Sequence, residues 1–170
     1  MSIQNNYFAS PIGILEIRAT DEYLTAVLFV NTERNKAPVM EEPETSQSAH
    51  PLIKTCEAQL TEYFDGQRTV FDIPTYQQGS EFQQKVWSAL KDIPYGRTIS
   101  YLELSKRIGN VKAIRAVGTS NGNNNISIIV PCHRVIGSDG SLTGYGGDLW
   151  RKKWLLDHEA RYANGVQTLF

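Results

Sequence analysis

The chain is poor in cysteine and has no long apolar segment. Its 170 residues include two cysteines, Cys56 and Cys132, which lie 76 positions apart. Neither a disulfide framework nor a Cys-x-x-Cys zinc site fits so few and so widely spaced thiols. The sequence contains no run of 18 apolar residues and no charged-then-apolar leader, so we expect neither a membrane span nor a secretory signal. A reactive thiol without a disulfide partner indicates a reducing compartment, the cytoplasm or a nucleus.

The overall composition is that of a folded protein with an uneven charge. A hydrophobic content of 41% supports a real core, and 170 residues suit one domain or two small ones. The net charge is -1, yet residues 1–78 carry 5 basic and 11 acidic side chains, whereas residues 79–155 carry 11 basic and 5 acidic ones. This division favours a polyanionic partner for the second half, although chance clustering on a solvated face would give the same counts.

The first 78 residues are expected to form antiparallel strands and one helix. Alternating apolar residues and turn signals predict strands over 7–10, 14–20 and 24–30. Residues 31–50 are polar and predict a loop. Apolar residues at helical spacing predict a helix over 52–64, with Cys56 on its buried face, and residues 71–73 predict one more strand.

The second half is expected to be mainly helical. Ser80 and Gln83 have the spacing of a capping box, which predicts the start of a helix. Two short helices over 101–108 and 113–120, separated by a turn at Gly109, predict a helix-turn-helix. Asp148 is positioned to cap a final helix that carries Trp154.

Residues 128–136 hold the strongest chemical signal. Cys132 stands between apolar runs, with Pro131 before it and His133 and Arg134 after it. An adjacent imidazole and positive charge lower the pKa of a thiol and favour the nucleophilic thiolate. The apolar runs predict a strand or extended segment that holds Cys132 rigidly. The alternative is that Cys132 is only a small buried hydrophobe.

The stretch Pro131-Cys132-His133-Arg134-Val135 resembles the active-site motif of the O6-alkylguanine-DNA alkyltransferases. The resemblance extends over most of the second half and includes the segments 99–101, 112–118, 144–147 and 154–159. It implies an α/β (α+β) protein with a ribonuclease-H-like domain of sheet and helix over residues 1–78. A helical, winged-helix-like DNA-binding domain would follow over 79–170. The implied activity is direct, stoichiometric transfer of the alkyl group of O6-alkylguanine, and of O4-alkylthymine, to the protein's own cysteine. No cofactor or metal is implied.

The resemblance also assigns catalytic roles. Cys132 would accept the alkyl group as a thiolate, and a water would link it to His133. Glu159 would orient His133 and stabilise its protonated form. Tyr101 would donate a proton to the departing guanine. Judged from the sequence alone, Glu159 is an ordinary charge near a helix end, and Tyr101 is a half-buried aromatic residue at a helix start.

The implied partner is double-stranded DNA that contains O6-alkylguanine, bound through its minor groove by a monomer. The helix over 113–120 has Arg115 as its only charged side chain, and its other residues are mostly small. Arg115 would fill the stack that a flipped nucleotide leaves, although a simple phosphate contact is the alternative. The small residues would allow close approach to the groove, although they would also permit tight helix packing. These small candidate DNA-binding residues are Ala113, Ala116, Thr119 and Ser120.

The flipped base would enter a pocket built around Tyr145. Gly146 and Gly147 would let backbone amides approach the base, with the Gly146 amide donating to O6. The Cys132 and Val135 carbonyls would accept from the exocyclic amine of the base. Three more positions bear on this hypothesis: Asn124 would tie the helix to the active-site turn, Ser127 stands where the family can have proline, and Asn121 with Gly122 would weaken groove contacts.

Three rival functions remain open at this point. A non-catalytic protein that binds alkylation damage would lack the acceptor cysteine. A cysteine hydrolase using Cys132 and His133 would turn over and need no DNA. A helix-turn-helix transcription factor would bind DNA without any methyl transfer.

Overall fold

The computed structural model describes residues 2–33 and 45–163. The chain divides into two compact units, Met1–Gln77 and Gln78–Phe170. Within the described ranges, no helix is long and apolar enough to cross a membrane. The loop predicted over residues 31–50 lies partly outside the described residues, because positions 34–44 are not among them.

The first unit is an antiparallel sheet with one helix. Strands β1 (Gln4–Ser10), β2 (Gly13–Ala19) and β3 (Leu24–Phe29) pair in that order. Alternate residues of β2, such as Leu15 and Ile17, are fully buried, as the period of a half-buried strand requires. The three predicted strands are therefore confirmed.

Helix α1 (Pro51–Phe64) supplies the other half of this core. His50 caps the helix, since its Nδ1 accepts from the backbone N–H groups of Leu52 and Ile53. Cys56 lies on the buried face of α1, as predicted. The strand predicted over 71–73 is wrong. The ordered contact in this stretch is a single bridge between Leu24 and Thr75, and Gln59 of α1 holds the Asp72 backbone instead.

The second unit is mainly helical. The order is α2 (Glu81–Leu90), β4 (Ile99–Ser100), α3 (Tyr101–Arg107), α4 (Ile114–Gly122), β5 (Val135–Ile136) and α5 (Leu149–Ala163). The capping box that opens α2 is confirmed, because both of its reciprocal bonds between Ser80 and Gln83 are present. The core of this unit takes one buried residue or more from each of its four α-helices, among them Val86, Leu104, Val117 and Leu155. The predicted α/β class, with a sheet first and helices second, is confirmed.

The prediction of a strand or extended segment is wrong for the apolar run before Cys132. The chain makes tight turns there instead: Ile129 N–H donates to the Ser127 carbonyl and Cys132 N–H to the Val130 carbonyl, both at 2.8 Å. Ile128, between the first pair, has a φ of 73°, a conformation that is costly for a β-branched residue. Cys132–Arg134 then form a 3₁₀ turn, and β5 pairs in parallel with β4. The apolar run before Cys132 therefore reflects burial within turns, whereas the run after it forms the short strand β5.

Candidate active site

Cys132 opens the 3₁₀ turn and is only 5% exposed. Asn124 fixes the chain just before it. The side-chain Nδ2 of Asn124 donates to the Val130 carbonyl at 2.8 Å, while its Oδ1 accepts from Ile126 N–H at 3.1 Å. Asn121 of α4 donates from Nδ2 to the Cys132 carbonyl at 3.3 Å. Asn121 in the last turn of α4 and Asn124 just after the helix thus hold the turn that carries the thiol.

His133 is fully buried beside a carboxylate. Its Nε2 lies 2.7 Å from Oε2 of Glu159, which comes from α5. Arg134 binds the same carboxylate with two nitrogens, at 2.7 Å and 3.0 Å, and donates to the Ile93 carbonyl at 2.7 Å. Burial alone would raise the pKa of Glu159, but His133 and Arg134 outweigh it and hold that pKa well below its usual range. Glu159 is therefore ionised near neutral pH.

The second ring nitrogen of His133, Nδ1, is able to accept a proton. When Nε2 donates to Glu159, Nδ1 of the neutral ring is an acceptor. This Nδ1 is buried, and it has no hydrogen-bond partner within residues 2–33 and 45–163. The imidazole that the sequence placed next to the thiol thus keeps one nitrogen available for a proton.

Burial raises the pKa of the Cys132 thiol, contrary to the lowering expected from its neighbours in the sequence. A hydrogen bond from Asn124 and the positive charge of Lys152 act in the opposite direction. The physical reason for the difference is desolvation, which disfavours the charged thiolate in an almost closed site. Burial therefore favours the thiol form of Cys132 over the thiolate.

Lys152 of α5 is a buried cation in this site. The whole residue is 0% exposed, and its Nζ donates to the Thr143 carbonyl at 2.8 Å. Burial lowers the pKa of Lys152 to about 8, although the nearby Cys132 favours the charged form. Below that pH the ammonium group places a positive charge where a thiolate would form.

Tyr101 begins α3 and shares the same carbonyl. Its hydroxyl donates to Thr143 at 3.1 Å, and Lys152 Nζ lies 5.8 Å from the centre of its ring. Gly118 of α4 and Gly144 both lie beside this tyrosine, since a Cβ at Gly118 would be 3.9 Å from the ring and one at Gly144 4.0 Å from the hydroxyl, which is ordinary van der Waals contact. The thin helix α4 and the glycine-rich loop thus meet at Tyr101.

Tyr145 lies in that loop with a buried hydroxyl. Burial raises the pKa of Tyr145 well above its usual value, and a charge on Cys132 acts in the same direction. Arg151 of α5 donates to the Gly147 carbonyl at 3.3 Å and to the Asp148 carboxylate at 3.4 Å. Helix α5 therefore anchors the loop next to Cys132, and Asp148, which precedes α5 as expected, pairs with Arg151.

The predicted DNA-facing residues of α4 divide into two groups. Arg115, Ala116 and Thr119 are exposed, and Ala113 is half-buried. Ser120 is buried, and its carbonyl accepts from the indole of Trp87 at 2.9 Å, so its side chain does not face the groove side. Asn121, which was expected to weaken groove contacts at the end of this helix, is 2% exposed and donates to the Cys132 carbonyl. Within one turn of α4, therefore, Thr119 is exposed while Ser120 and Asn121 are buried.

Three side chains of the site were not predicted from the sequence. Arg134 was given no role beyond local charge, Asn121 was considered only for its effect on groove contacts, and Lys152 was not considered. The sequence held one weak signal for Lys152, a lysine placed three residues before the buried Leu155 on a helix. Among the described residues, no group of three His, Cys, Asp or Glu side chains could hold a metal ion.

The site defines a class of protein. A buried thiol stands beside a His–Glu pair and a tyrosine hydroxyl, and the adjacent short helix presents small side chains and one arginine to solvent. This combination is what a protein would need to bring a reactive cysteine close to a bound nucleic acid.

The comparisons with known proteins name the family. Residues 3–77 match the 6-O-methylguanine DNA methyltransferase ribonuclease-like domain, and residues 81–161 match the DNA binding domain of the same family. The chain belongs to the 6-O-methylguanine DNA methyltransferase family. The resemblance seen in the sequence is thereby confirmed, and DNA is a partner of this domain type.

Individual relatives cover nearly the whole chain. A methylated-DNA–protein-cysteine methyltransferase of Mycolicibacterium paratuberculosis is 47% identical over 95% of this chain and 94% of its own length. The constitutive Bacillus subtilis methyltransferase is 41% identical, over 91% and 95%. A crystal structure of Mycobacterium tuberculosis O6-methylguanine methyltransferase has a TM-score of 0.82 with 41% identity, covering 97% of both chains. Mycobacterium tuberculosis OGT in complex with DNA has a TM-score of 0.80, covering 93% of both.

Proposed function

We propose that this protein repairs DNA by moving the alkyl group of O6-alkylguanine to Cys132 in a single turnover. The observation that carries the proposal is the buried thiol next to a histidine whose Nε2 is held by Glu159 and whose Nδ1 is open. Family membership gives the substrate class, because the relatives of this length are methylated-DNA–protein-cysteine methyltransferases.

The proposed transfer conserves atoms and protons. His133 takes the proton of the Cys132 thiol, and Lys152 stabilises the thiolate. The sulfur forms a bond to the alkyl carbon as the bond between that carbon and O6 breaks. Tyr101 gives its proton to the departing guanine, and it recovers one through solvent as His133 releases the proton it took. The product is unmodified guanine and an S-alkylcysteine, which has no good leaving group, so the protein is used once.

We propose that the base reaches this site by leaving the duplex. O6 chemistry is blocked inside the stack, so the nucleotide must flip out. Exposed Arg115 would occupy the vacated position, and the small residues Ala113, Ala116 and Thr119 would let α4 enter the minor groove. Tyr145 would face the base, with the amides of Gly146 and Gly147 near it. Repair of O4-alkylthymine and action as a monomer belong to the same proposal.

The place of action follows from the chemistry. A thiol that must remain reduced, and a substrate that is DNA, favour the cytoplasm of a prokaryote or the nucleus of a eukaryote.

A titration tests the proposed function directly. Increasing amounts of duplex DNA with O6-methylguanine are added to a fixed amount of protein, and repaired guanine is counted. We expect repair to stop at one guanine per protein molecule. Repair that continues beyond this point would indicate a turning-over enzyme such as a hydrolase, and binding without repair would indicate a damage-binding protein or a transcription factor.

A further inference from the structure

The last turn of α4 contains three consecutive residues with different surroundings. Thr119 is exposed on the surface that is proposed to enter the minor groove, whereas Ser120 and Asn121 are buried. The side-chain Nδ2 of Asn121 donates to the Cys132 carbonyl at 3.3 Å, so this turn holds the main chain of the nucleophile. The proposed DNA-facing surface and the thiol are therefore joined through one turn of one helix.

A tryptophan of α2 fixes the position of this turn. Trp87 is 4% exposed, and its indole Nε1 donates to the Ser120 carbonyl at 2.9 Å. The same carbonyl accepts from the backbone N–H of Asn123 at 3.2 Å, so both of its acceptor positions are used. Because the bond ends on the main chain of α4 and hydrogen bonds are directional, it constrains where the helix backbone lies relative to the indole.

The indole itself is enclosed on another side. A Cβ at Gly79 would lie 2.6 Å from Cη2 and 2.7 Å from Cζ3 of the Trp87 ring, well inside the distance of about 3.5–4.0 Å at which carbon atoms pack. The ring therefore has little room to move. At the other end of α4 the N-cap position is occupied by Ala113, whose side chain has no polar atom to hold the helix. Trp87 thus supplies a fixed point at the end of α4 that is joined to Cys132.

We propose that Trp87 is a positioning residue, which sets the register between the proposed DNA-facing surface of α4 and the Cys132 thiol. The inference rests on the proposed function and adds to it a buried residue outside that surface. Transfer requires the alkyl carbon to lie in line with the sulfur while α4 holds the DNA, and a misplacement of about 1 Å can slow a reaction about a hundredfold. A reaction that uses the thiol alone, or binding that uses α4 alone, does not need this register.

The variant Trp87→Phe tests the proposal, because it keeps a buried aromatic ring but removes the indole N–H. Three quantities are compared with the wild type: the single-turnover rate of methyl transfer from saturating O6-methylguanine duplex, the rate of Cys132 alkylation by iodoacetamide, and the affinity for undamaged duplex. We expect the transfer rate to fall about tenfold, which corresponds to about 1.4 kcal/mol. Iodoacetamide alkylation and DNA affinity should hardly change.

The pattern of the three measurements distinguishes positioning from support of the fold. A smaller folded fraction would lower transfer, alkylation and DNA binding together. Gly79→Ala is a second variant, which keeps the indole N–H but forces the ring to move, and the same selective loss of transfer is expected. Trp150→Phe is the matched control, because Trp150 is 54% exposed, and it should equal the wild type in all three measurements.

Three outcomes would overturn the inference: transfer at the wild-type rate in Trp87→Phe, equal losses in all three measurements, or a loss of transfer that is fully accounted for by the loss of iodoacetamide alkylation or of DNA affinity. The second would make Trp87 only structural, and the third would confine its effect to the thiol or to the DNA-facing surface. No transfer by the wild type would instead contradict the proposed function itself.

Discussion

Cys56 in the first unit and Cys132 in the second are both buried, and burial raises the pKa of both thiols, yet their surroundings differ in kind. Cys56 lies on the apolar face of α1, and the charge of its neighbour Glu57 disfavours a thiolate further. Around Cys132, an asparagine hydrogen bond and the Lys152 ammonium oppose the effect of burial. Exposure does not distinguish the two cysteines. The buried polar groups around each thiol do distinguish them.

The same contrast holds for the two units as a whole. Buried polar side chains of the first unit satisfy backbone groups, as His50 does at the start of α1 and Gln59 does at Asp72. Those of the second unit include a lysine, a histidine and a glutamate that face one another or the nucleophile. Charged groups are costly to bury, so their concentration near Cys132 marks the unit that carries the chemistry.

Separate replacement of the two cysteines should show the largest difference. Cys132→Ser is expected to abolish methyl transfer from O6-methylguanine DNA, since a hydroxyl is far less ionised than a thiol near pH 7. Cys56→Ala is expected to keep one transfer per folded molecule and to lose only about 1 kcal/mol of stability from a small cavity. Transfer rates and denaturant unfolding measure the two effects. Residual transfer by Cys132→Ser would contradict the assignment of the nucleophile.

The buried carboxylate should show the next largest effect. Glu159→Gln leaves the Arg134 guanidinium without its ion pair, and breaking a buried pair costs about 3–5 kcal/mol. It also removes the charge that would stabilise a protonated His133. We expect slower alkylation of Cys132 at neutral pH, with partial recovery as the pH rises and the thiol ionises unaided. The rate of reaction with iodoacetamide is measured across pH for both proteins. Overlapping curves would show that Glu159 does not affect the reactivity of Cys132.

Glu159 also predicts how stability depends on pH. Its folded-state pKa is held below the unfolded value of about 4.3. Its contribution is therefore complete above that value and is lost as the pH falls toward the folded-state pKa. The wild type should lose more stability than Glu159→Gln between about pH 5 and pH 3. Equal slopes in urea unfolding across this range would contradict the ion pair.

Removal of the positive charge of Lys152 should also make Cys132 less reactive. Lys152→Met keeps the length of the side chain but removes the charge, so the pKa of Cys132 should rise further. Less thiolate would then be present, and the alkylation rate at pH 7 should fall about tenfold, which corresponds to about 1.4 kcal/mol of lost charge stabilisation. In the wild type the ammonium is lost as the pH rises through about 8, so its advantage over the variant should shrink above that pH.

Lys153→Met is the matched control, because the Lys153 side chain is 67% exposed and pairs with Asp157 at the surface. It should alkylate like the wild type. Because the buried ammonium is costly, Lys152→Met should not unfold at a lower temperature than the wild type. If Lys152→Met is alkylated at the wild-type rate, the Lys152 charge does not influence the thiol, and the residue is only structural.

Much of the fold follows from local patterns, while the site depends on tertiary contacts. The alternation in β2 and the Ser80–Gln83 box predict their elements, because each pattern reports its own periodicity or capping bond. Lys152 stands between Arg151 and Lys153 in a run that is typical of an exposed helix face. Its burial is decided by the packing of α5 beside Thr143, which no local pattern records.

The active-site stretch shows the same limit. Its apolar residues predicted an extended segment, but Asn124 holds Val130 in a tight turn instead. The capture of a backbone carbonyl by a distant side chain cannot be read from apolar spacing. The roles of Cys132, His133 and Glu159 came from the family resemblance. Their geometry agrees with those roles, which remain predictions.

The last expected effect concerns α4 and is confined to duplex DNA. Arg115→Ala should slow transfer from duplex DNA about tenfold, because the opened stack costs about a few kcal/mol and nothing fills it. Alkylation by free O6-benzylguanine should hardly change, since no duplex must be opened. Equal losses on both substrates would mean that Arg115 does not occupy a vacated stack.

Site-resolved mass spectrometry tests most directly the claim that polar surroundings, not exposure, select the reactive thiol. The protein is mixed with excess O6-methylguanine duplex, digested, and the peptides with Cys132 and Cys56 are compared. We predict one methyl group on Cys132 in every active molecule and none on Cys56. A methyl group on Cys56, or on any residue other than Cys132, would contradict the account.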